Sequence, residues 1–397
     1  MMAINAPFIN EFKKGYHILF RKQWPPIVGG LLIGLLAILI EAWSRPWGIV
    51  AGIRNWADWL FYGVGLYAQK PDNPFLFSPS MMDLGLILGS FASALLAKEF
   101  AFRRPPKLEA YKGLFGGLFM GVGSSLALGC NVGAFYSPLV NLSASGFLMM
   151  IGLIFGAYLG LRYILWEVEN LPSPSPAFAA TSQKQAPSFD WKTAHPYLGA
   201  LVLVGLVFAA HFYGKSSYAE VGGLLLFGAA FGVVIQRCRF CFVRAFRDPF
   251  MTGEAEIGKA VVISLIVAVI GIAVLKANGF RRETMYVIPT FGWGSLVGGV
   301  IFGIGMVVAG GCGSGTLWRV GEGNLKLWIA LFAFATSNSL LTVWLRSWGI
   351  RQKLGTAVFL PNYFGWEGAI LVVVVISLIW YLVLAWNEQT NKFTVEL

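Results

Sequence analysis

The chain has 397 residues, of which 57% are hydrophobic and only 12% are charged, and its mean hydropathy is +0.67. A water-soluble domain carries roughly 25% charged residues, so the composition excludes that class and predicts a polytopic membrane protein. The formal net charge is +11, and basic residues cluster in 13–22 and 102–112, at the ends of apolar runs. Such clusters set membrane orientation, so the charge does not indicate nucleic-acid binding.

Apolar runs long enough to cross a bilayer predict an all-α fold with about nine to eleven membrane segments. The spans lie at 26–43, 81–98, 112–130, 143–165, 196–213, 219–237, 256–276, 292–311, 325–346 and 366–386. No small-residue cleavage site follows the first run, which therefore reads as a membrane helix and not as a signal peptide. The stretch 45–80, with Trp47 and Trp56, predicts short interfacial helices, because aromatic residues prefer that depth.

A segment rich in Pro, Ser and Ala divides the chain near its middle. It covers 170–190 and reads "NLPSPSPAFAATSQKQAPSFD", which is typical of a linker. We therefore expect a first membrane repeat at 1–169, a linker at 170–193 and a second repeat at 194–397. The second repeat contains one extra helix, 196–213, that has no evident counterpart in the first.

The two halves share an internal repeat. Residues 113–133 align without a gap on residues 295–315, and nine of the 21 positions are identical. The identical positions of the first copy are Leu114, Gly116, Gly117, Gly121, Gly123, Ala127, Gly129, Cys130 and Gly133. Because the helix at 196–213 adds one crossing, the second copy runs in the opposite direction. The sequence thus predicts an inverted repeat, a common transporter plan, with the N-terminus, linker and C-terminus cytoplasmic. The charged loop 276–283 disagrees with this orientation.

Each copy of the repeat ends in a cysteine inside a glycine cluster, "GCNVG" at 129–133 and "GCGSG" at 311–315. Glycines spaced by four precede each cluster and let neighbouring helices approach closely. We expect glycines to break the helix at each cluster, through φ values open to glycine, and the restarting helix to direct its N–H groups at an anion. The supporting glycines are Gly129, Gly133, Gly311, Gly313 and Gly315. The alternative is that the cysteines Cys130 and Cys312 are small packing residues.

The segment "QRCRFCFVRAFRD" at 236–248 contains a C-x-x-C pair, Cys238 and Cys241. Such a pair can be redox-active or form half of a metal site, but no second pair of ligands is evident. We therefore predict no metal, no cofactor and no catalytic residue. Asp83, Arg162, Glu220, Arg319 and Glu322 are the polar candidates near membrane depth. No phosphate-binding loop of the GxxxxGK[ST] type is present, which excludes ATP-driven transport by this chain alone.

Three segments, "ALGCNVGAFYSPL", "RCRFCFVRAFRD" and "AGGCGSGTLWRVGEGN", resemble the signature segments of the YeeE/YedE family of inner-membrane sulfur-compound transporters. The chain is closest to the YedE branch, which is associated with selenium metabolism. The resemblance implies an hourglass-shaped helical protein of two pseudo-symmetric halves. It also implies that Cys130, Cys241 and Cys312 line a central path, where thiols relay thiosulfate by weak hydrogen bonds to its terminal sulfur. The resemblance implies no role for Cys238.

The sequence therefore predicts a permease in a bacterial-type inner membrane that imports a small sulfur- or selenium-containing anion. Cys130, Cys241 and Cys312 are the path residues, and Cys238, Arg319 and Glu322 are secondary candidates. Besides the anion and the lipid bilayer, the resemblance implies a cytoplasmic sulfur-handling protein as a partner. Two alternatives stay open: a thiol-redox relay that uses Cys238 and Cys241, and a structural protein whose cysteines only pack.

Overall fold

A computed structural model describes residues 5–170 and 191–395. In these ranges the chain forms α-helices joined by short connections, and isolated bridges are the only β-pairing. The helices are α1 (Asn5–Tyr16), α2 (Pro26–Trp43), α3 (Val50–Gly63), α4 (Ser78–Leu96), α5 (Lys107–Leu126), α6 (Ser137–Val140), α7 (Ser145–Asn170), α8 (Trp191–Lys215), α9 (Ala219–Cys238), α10 (Phe242–Met251), α11 (Glu256–Ala277), α12 (Trp293–Ala309), α13 (Gly313–Gly321), α14 (Leu325–Ser347) and α15 (Pro361–Thr390). The predicted all-α fold is confirmed.

Ten helical segments in the described ranges are long and apolar enough to cross a membrane. They coincide with the ten predicted spans, and three of them combine two helices across a break: 107–140, 219–251 and 293–321. The chain is a multi-pass membrane protein. Most of the predicted linker, residues 171–190, lies outside the described residues, and residues 191–193 already belong to α8.

Trp47 does not lie in an interfacial helix, and this part of the prediction is wrong. Of the stretch 45–80, α3 contains Trp56, whereas Trp47 precedes α3 with only 1% of its surface exposed. Its ring stacks on Phe231 at 4.3 Å and meets the edge of Tyr136 at 5.8 Å. The connection between α2 and α3 runs through the core, so its tryptophan contributes packing there instead of at a lipid surface.

Helices of one half pack mainly on helices of the other. α2 contacts α11 while α9 contacts α4, and α5 contacts α14 while α12 contacts α7. The helices that pair with their own counterparts are α2 with α9 and α5 with α12. This exchange is what an approximate twofold axis between two repeats requires.

Glycines bring these helices into backbone contact. A β-carbon on Gly30 would lie 2.3 Å from the Ala260 carbonyl oxygen of α11, and one on Gly232 would lie 2.2 Å from the Leu86 carbonyl oxygen of α4. On α5, a β-carbon on Gly117 would lie 2.4 Å from the Ala330 carbonyl oxygen of α14. The predicted role of spaced small residues in close helix packing is thereby confirmed.

The helix at 196–213, expected to be unmatched, shares one corresponding neighbour with the last helix. It forms most of α8, which packs on α4 and α9, whereas α15 packs on α11 and, weakly, on α10. α4 and α11 are counterparts, whereas α9 and α10 are not. The division into 1–169, 170–193 and 194–397 stays a prediction.

Candidate functional site

Three helices are interrupted in the core, and each resumes directly after a cysteine. Cys130 precedes the π-helical turn Asn131–Tyr136 that continues into α6, Cys241 precedes α10, and Cys312 precedes α13. All three are buried, with at most 1% exposure. A residue at this N-cap position lies beside the N–H groups that a helix leaves free at its start and beside the positive end of its dipole. Each thiol therefore lies in a local positive potential at the start of a helix.

Two glycines of the second cluster, Gly313 and Gly315, provide space for the thiols, and the predicted role of the cluster glycines in backbone conformation is wrong. Left-handed φ values occur at Leu128, Arg239 and Gly310, and they do not occur at Gly129, Gly133, Gly311, Gly313 or Gly315. A β-carbon on Gly313 would lie 2.9 Å from the Cys130 sulfur. The helices are therefore broken by the residue before the motif, while Gly313 and Gly315 keep side chains away from the sulfur atoms.

Cys130 and the N-terminus of α13 face each other. The Asn131 side-chain oxygen accepts a hydrogen bond from the Gly313 N–H at 3.1 Å, next to the contact between Gly313 and the Cys130 sulfur. The Asn131 side-chain nitrogen is buried and has no hydrogen-bond partner among the described residues. Two half-helices from opposite repeats thus meet with one thiol and one free amide donor between them.

Cys241 and Cys312 are neighbours on the other side of α13. A β-carbon on Gly315 would lie 3.0 Å from the Cys312 sulfur and 3.2 Å from the Cys241 sulfur. The Gly315 N–H donates to the Cys312 sulfur at 3.2 Å, and both thiols are free. Cys130, Gly313, Cys312, Gly315 and Cys241 therefore form a continuous series of contacts, which we call the thiol series.

Cys238 lies apart from the thiol series. Its thiol donates to the Val234 carbonyl oxygen at 2.6 Å and faces α2, where a β-carbon on Gly29 would lie 2.2 Å from the sulfur. The two cysteines of the C-x-x-C pair thus have different neighbours. In the described ranges no group of three or more Cys, His, Asp or Glu side chains could hold a metal ion.

The secondary candidates Arg319 and Glu322 stabilise the surroundings of the thiol series. Arg319 donates to the carbonyl oxygen of Gly310, the left-handed residue that ends α12, at 2.7 Å. Glu322 is 1% exposed and accepts from Arg239 at 2.7 Å and from Gln236 at 2.9 Å. A buried carboxylate that is paired with charged and amide donors contributes mainly to the stability of the fold.

Four polar residues near the thiol series were not predicted from the sequence, or were predicted only in part. Asp83 was a candidate, and both of its buried oxygens lack a hydrogen-bond partner among the described residues. Asn131 follows Cys130 directly and could have been inferred from the motif. Arg45 and Tyr286 come from connections without any pattern, and only the fold brings them close to Gly48 and Gly133. Of the other candidates, Arg162 is exposed, and Glu220 accepts a hydrogen bond from the Ser44 hydroxyl at 2.5 Å, next to Arg45.

Comparison with known proteins agrees with this architecture. A family model described as "Sulphur transport" matches residues 3–159 and 237–396, one match in each half. The chain is 29% identical to the probable transporter YedE of Escherichia coli over 80% of both chains, and 27% identical to YedE of Salmonella typhimurium over 96% of both.

Shorter stretches are more similar to proteins named thiosulfate transporter TsuA. The identity is 38% with the Escherichia coli protein, over 30% of this chain and 33% of that one. It is 40% with the Spirochaeta thermophila protein, over 31% of this chain and 38% of that one. Because the family model covers most of the chain in two repeats, the protein belongs to the sulphur transport (YeeE/YedE) family.

Proposed function

We propose that the protein imports a small sulfur-containing anion, with thiosulfate as the first candidate, along the thiol series. The observation that carries the proposal is the convergence of three interrupted helices that present Cys130, Cys312 and Cys241 around Gly313 and Gly315. The names of the TsuA relatives support thiosulfate, and the matched stretches cover about a third of those proteins.

The chemistry of the thiol series suits a polarisable anion. Free N–H groups at three helix starts attract negative charge. A neutral thiol is a weak hydrogen-bond donor, so it holds the terminal sulfur of such an ion loosely and lets it move to the next thiol. Conduction requires binding of this kind, favourable enough for entry and weak enough for release.

We also propose a location, an orientation and a partner for the protein. The protein lies in a bacterial-type inner membrane with its N-terminus, linker and C-terminus in the cytoplasm, and it delivers the anion to a cytoplasmic sulfur-handling protein. A selenium-containing anion is the alternative cargo. The thiol-redox relay would require Cys238 and Cys241 to form a disulfide, whereas their sulfur atoms face Gly29 and Gly315 respectively.

Uptake into proteoliposomes tests the proposal, with thiosulfate, selenite and sulfate compared side by side. We expect uptake of thiosulfate over sulfate, and losses of tenfold or more in Cys130→Ser, Cys241→Ser and Cys312→Ser. Cys238→Ser is the matched control, because its thiol lies outside the thiol series, and it should keep the wild-type rate. Unchanged uptake in all three path variants would show that these cysteines only pack. Loss in Cys238→Ser and Cys241→Ser alone would favour the redox relay.

A further inference from the structure

The hydroxyl of Tyr286 occupies, relative to the first repeat, the place that the Cys241 thiol occupies relative to the second. Gly133 and Gly315 are equivalent positions of the repeat, three residues after Cys130 and Cys312. A β-carbon on Gly315 would lie 3.2 Å from the Cys241 sulfur, and one on Gly133 would lie 3.1 Å from the Tyr286 hydroxyl oxygen. The Tyr286 hydroxyl therefore extends the thiol series by one polar group beyond Cys130.

The backbone of Tyr286 is held in a conformation that a bulky residue rarely adopts. Its φ is 65°, in the left-handed region, which is costly for a residue with a β-carbon. The buried Lys276 amine donates to the carbonyl oxygens of Glu283 at 3.0 Å and Met285 at 2.9 Å, immediately before Tyr286. Arg281 donates to the Glu41 carbonyl oxygen at 2.6 Å. Two cationic side chains, Lys276 and Arg281, thus hold the connection between α11 and α12 that positions the Tyr286 hydroxyl.

Arg45 approaches the same hydroxyl from the connection between α2 and α3. A β-carbon on Gly48 would lie 3.0 Å from the Tyr286 hydroxyl oxygen and 4.0 Å from a terminal nitrogen of Arg45. The Arg45 side chain forms no ion pair or hydrogen bond with the described residues, and its Nε is buried. The carboxylate whose charge acts on it is Asp83, which is buried in α4. A guanidinium with unused donors beside an unused hydroxyl is a suitable arrangement for an anion.

These two groups line a pocket of about 400 Å³ at the surface, bounded also by Ser44, Pro79 and Glu220. In the predicted orientation this pocket opens on the outer side, because α2 leaves the cytoplasm and ends at Trp43. Glu220 contributes a negative charge at the rim, and the hydroxyls of Ser44 and Ser78 bind its carboxylate. Tyr286 thus belongs to the lining of this surface pocket and also approaches Gly133, three residues after Cys130.

We propose that the Tyr286 hydroxyl and the Arg45 guanidinium form an outer binding site for an oxyanion, which passes from there to Cys130. The inference rests on the proposed function and names the site at which that function begins. The guanidinium and the hydroxyl bind the oxygen atoms of the anion, and the neighbouring Cys130 thiol receives its sulfur end. Burial raises the pKa of Tyr286 to about 12, so the hydroxyl keeps its proton and remains a donor at physiological pH.

Concentration-dependent thiosulfate uptake by proteoliposomes tests the outer site. We expect Tyr286→Phe and Arg45→Gln each to raise the half-saturating concentration about tenfold, the effect of one lost hydrogen bond to a charged group. The maximal rate should stay within about twofold of wild type, because the thiol series is intact. Tyr67→Phe is the matched control, since the Tyr67 hydroxyl binds the Ser339 hydroxyl at 2.7 Å, away from the cysteines.

Calorimetric titration of the purified protein with thiosulfate gives a second readout, independent of transport. The affinity should fall in Tyr286→Phe and Arg45→Gln and stay unchanged in Tyr67→Phe. Wild-type half-saturation and affinity in both variants, together with loss of uptake in Cys130→Ser, would overturn the outer site and leave the proposed function standing. Wild-type proteoliposomes that take up no thiosulfate would overturn both.

Discussion

At the scale of single residues, the spacing between thiols depends on two glycines, which have no side chain. Gly313 separates Cys130 from Cys312, and Gly315 separates Cys312 from Cys241. A cysteine side chain has one torsion before its sulfur, so each sulfur position follows closely from the backbone at the start of its helix. The glycines are therefore as much part of the path as the cysteines.

Gly313→Ala should close the thiol series while the fold persists. The new methyl group would lie 2.9 Å from the Cys130 sulfur, which is inside the contact distance of a carbon and a sulfur atom. We expect thiosulfate uptake to fall at least tenfold with a normal elution profile in size-exclusion chromatography. Gly205→Ala on α8 is the control, because a β-carbon there would meet nothing within 4 Å. Equal uptake in the two variants would contradict this role of Gly313.

Glu322→Gln should reduce stability more than transport. The Glu322 carboxylate accepts hydrogen bonds from Arg239 and Gln236, and one of its oxygens lies 3.5 Å from a terminal nitrogen of Arg103. These three interactions hold the structure together and are not part of the proposed path. Loss of one charge from a buried pair costs on the order of 3 kcal/mol. The thermal unfolding midpoint of the purified protein should fall by several degrees, with uptake per folded molecule retained. Glu220→Gln at the exposed rim is the comparison and should leave the midpoint unchanged.

At the scale of helices, the sequence predicts spans well and interruptions poorly. Long apolar runs determine a membrane helix by themselves, which is why α2 was predicted at its observed bounds. The interruptions occur at residues such as Leu128 and Arg239, whose backbones adopt left-handed φ values. Leucine and arginine have no local preference for left-handed φ values, so the sequence did not indicate these positions. The glycines beside the cysteines were predicted to break the helices instead.

Close helix crossings give a graded test of glycine packing. A β-carbon on Gly232 would lie 2.2 Å from the Leu86 carbonyl oxygen, whereas one on Gly271 would lie 2.3 Å from the terminal carbon of Ile38. A flexible side chain can move and a helix backbone cannot, so we expect Gly232→Ala to destabilise the protein by about 1–3 kcal/mol and Gly271→Ala by clearly less. Thermal unfolding of the two purified variants measures the difference. Equal midpoints would mean that α9 moves away from α4 at no cost.

At the scale of the whole molecule, the repeat was visible in the sequence but its consequence for assembly was not. The gapless match of 113–133 with 295–315 predicted two related halves. That match could not reveal that α4 pairs with α9, or that α7 pairs with α12, because contacts between halves leave no trace in a single sequence. The placement of Arg45 and Tyr286 beside the first copy of the motif depends on the same exchange.

The exchange of helices predicts that neither half is stable alone. Residues 1–180 without the second half would expose the glycine faces of α2, α4, α5 and α7 that otherwise contact the other repeat. We expect this fragment to be degraded when it is produced alone, and to copurify with residues 181–397 when both are produced together. Pull-down through a tag on either fragment measures the association. A stable, monodisperse first half would show that the contacts between repeats are dispensable.

Backbone contacts between the repeats also bear on how the molecule can move. Where Gly30, Gly117 and Gly232 meet carbonyl oxygens of the facing helices, no layer of side chains remains on which one repeat could slide. Shear between packed helices needs such a layer, and hinged closure needs a loose interface. Permeation through this protein is therefore expected to depend on small displacements at the interrupted helices, with the two repeats moving as one body. A carrier that rocks between two states is slowed steeply by cooling, so the temperature coefficient of uptake should be closer to that of a pore.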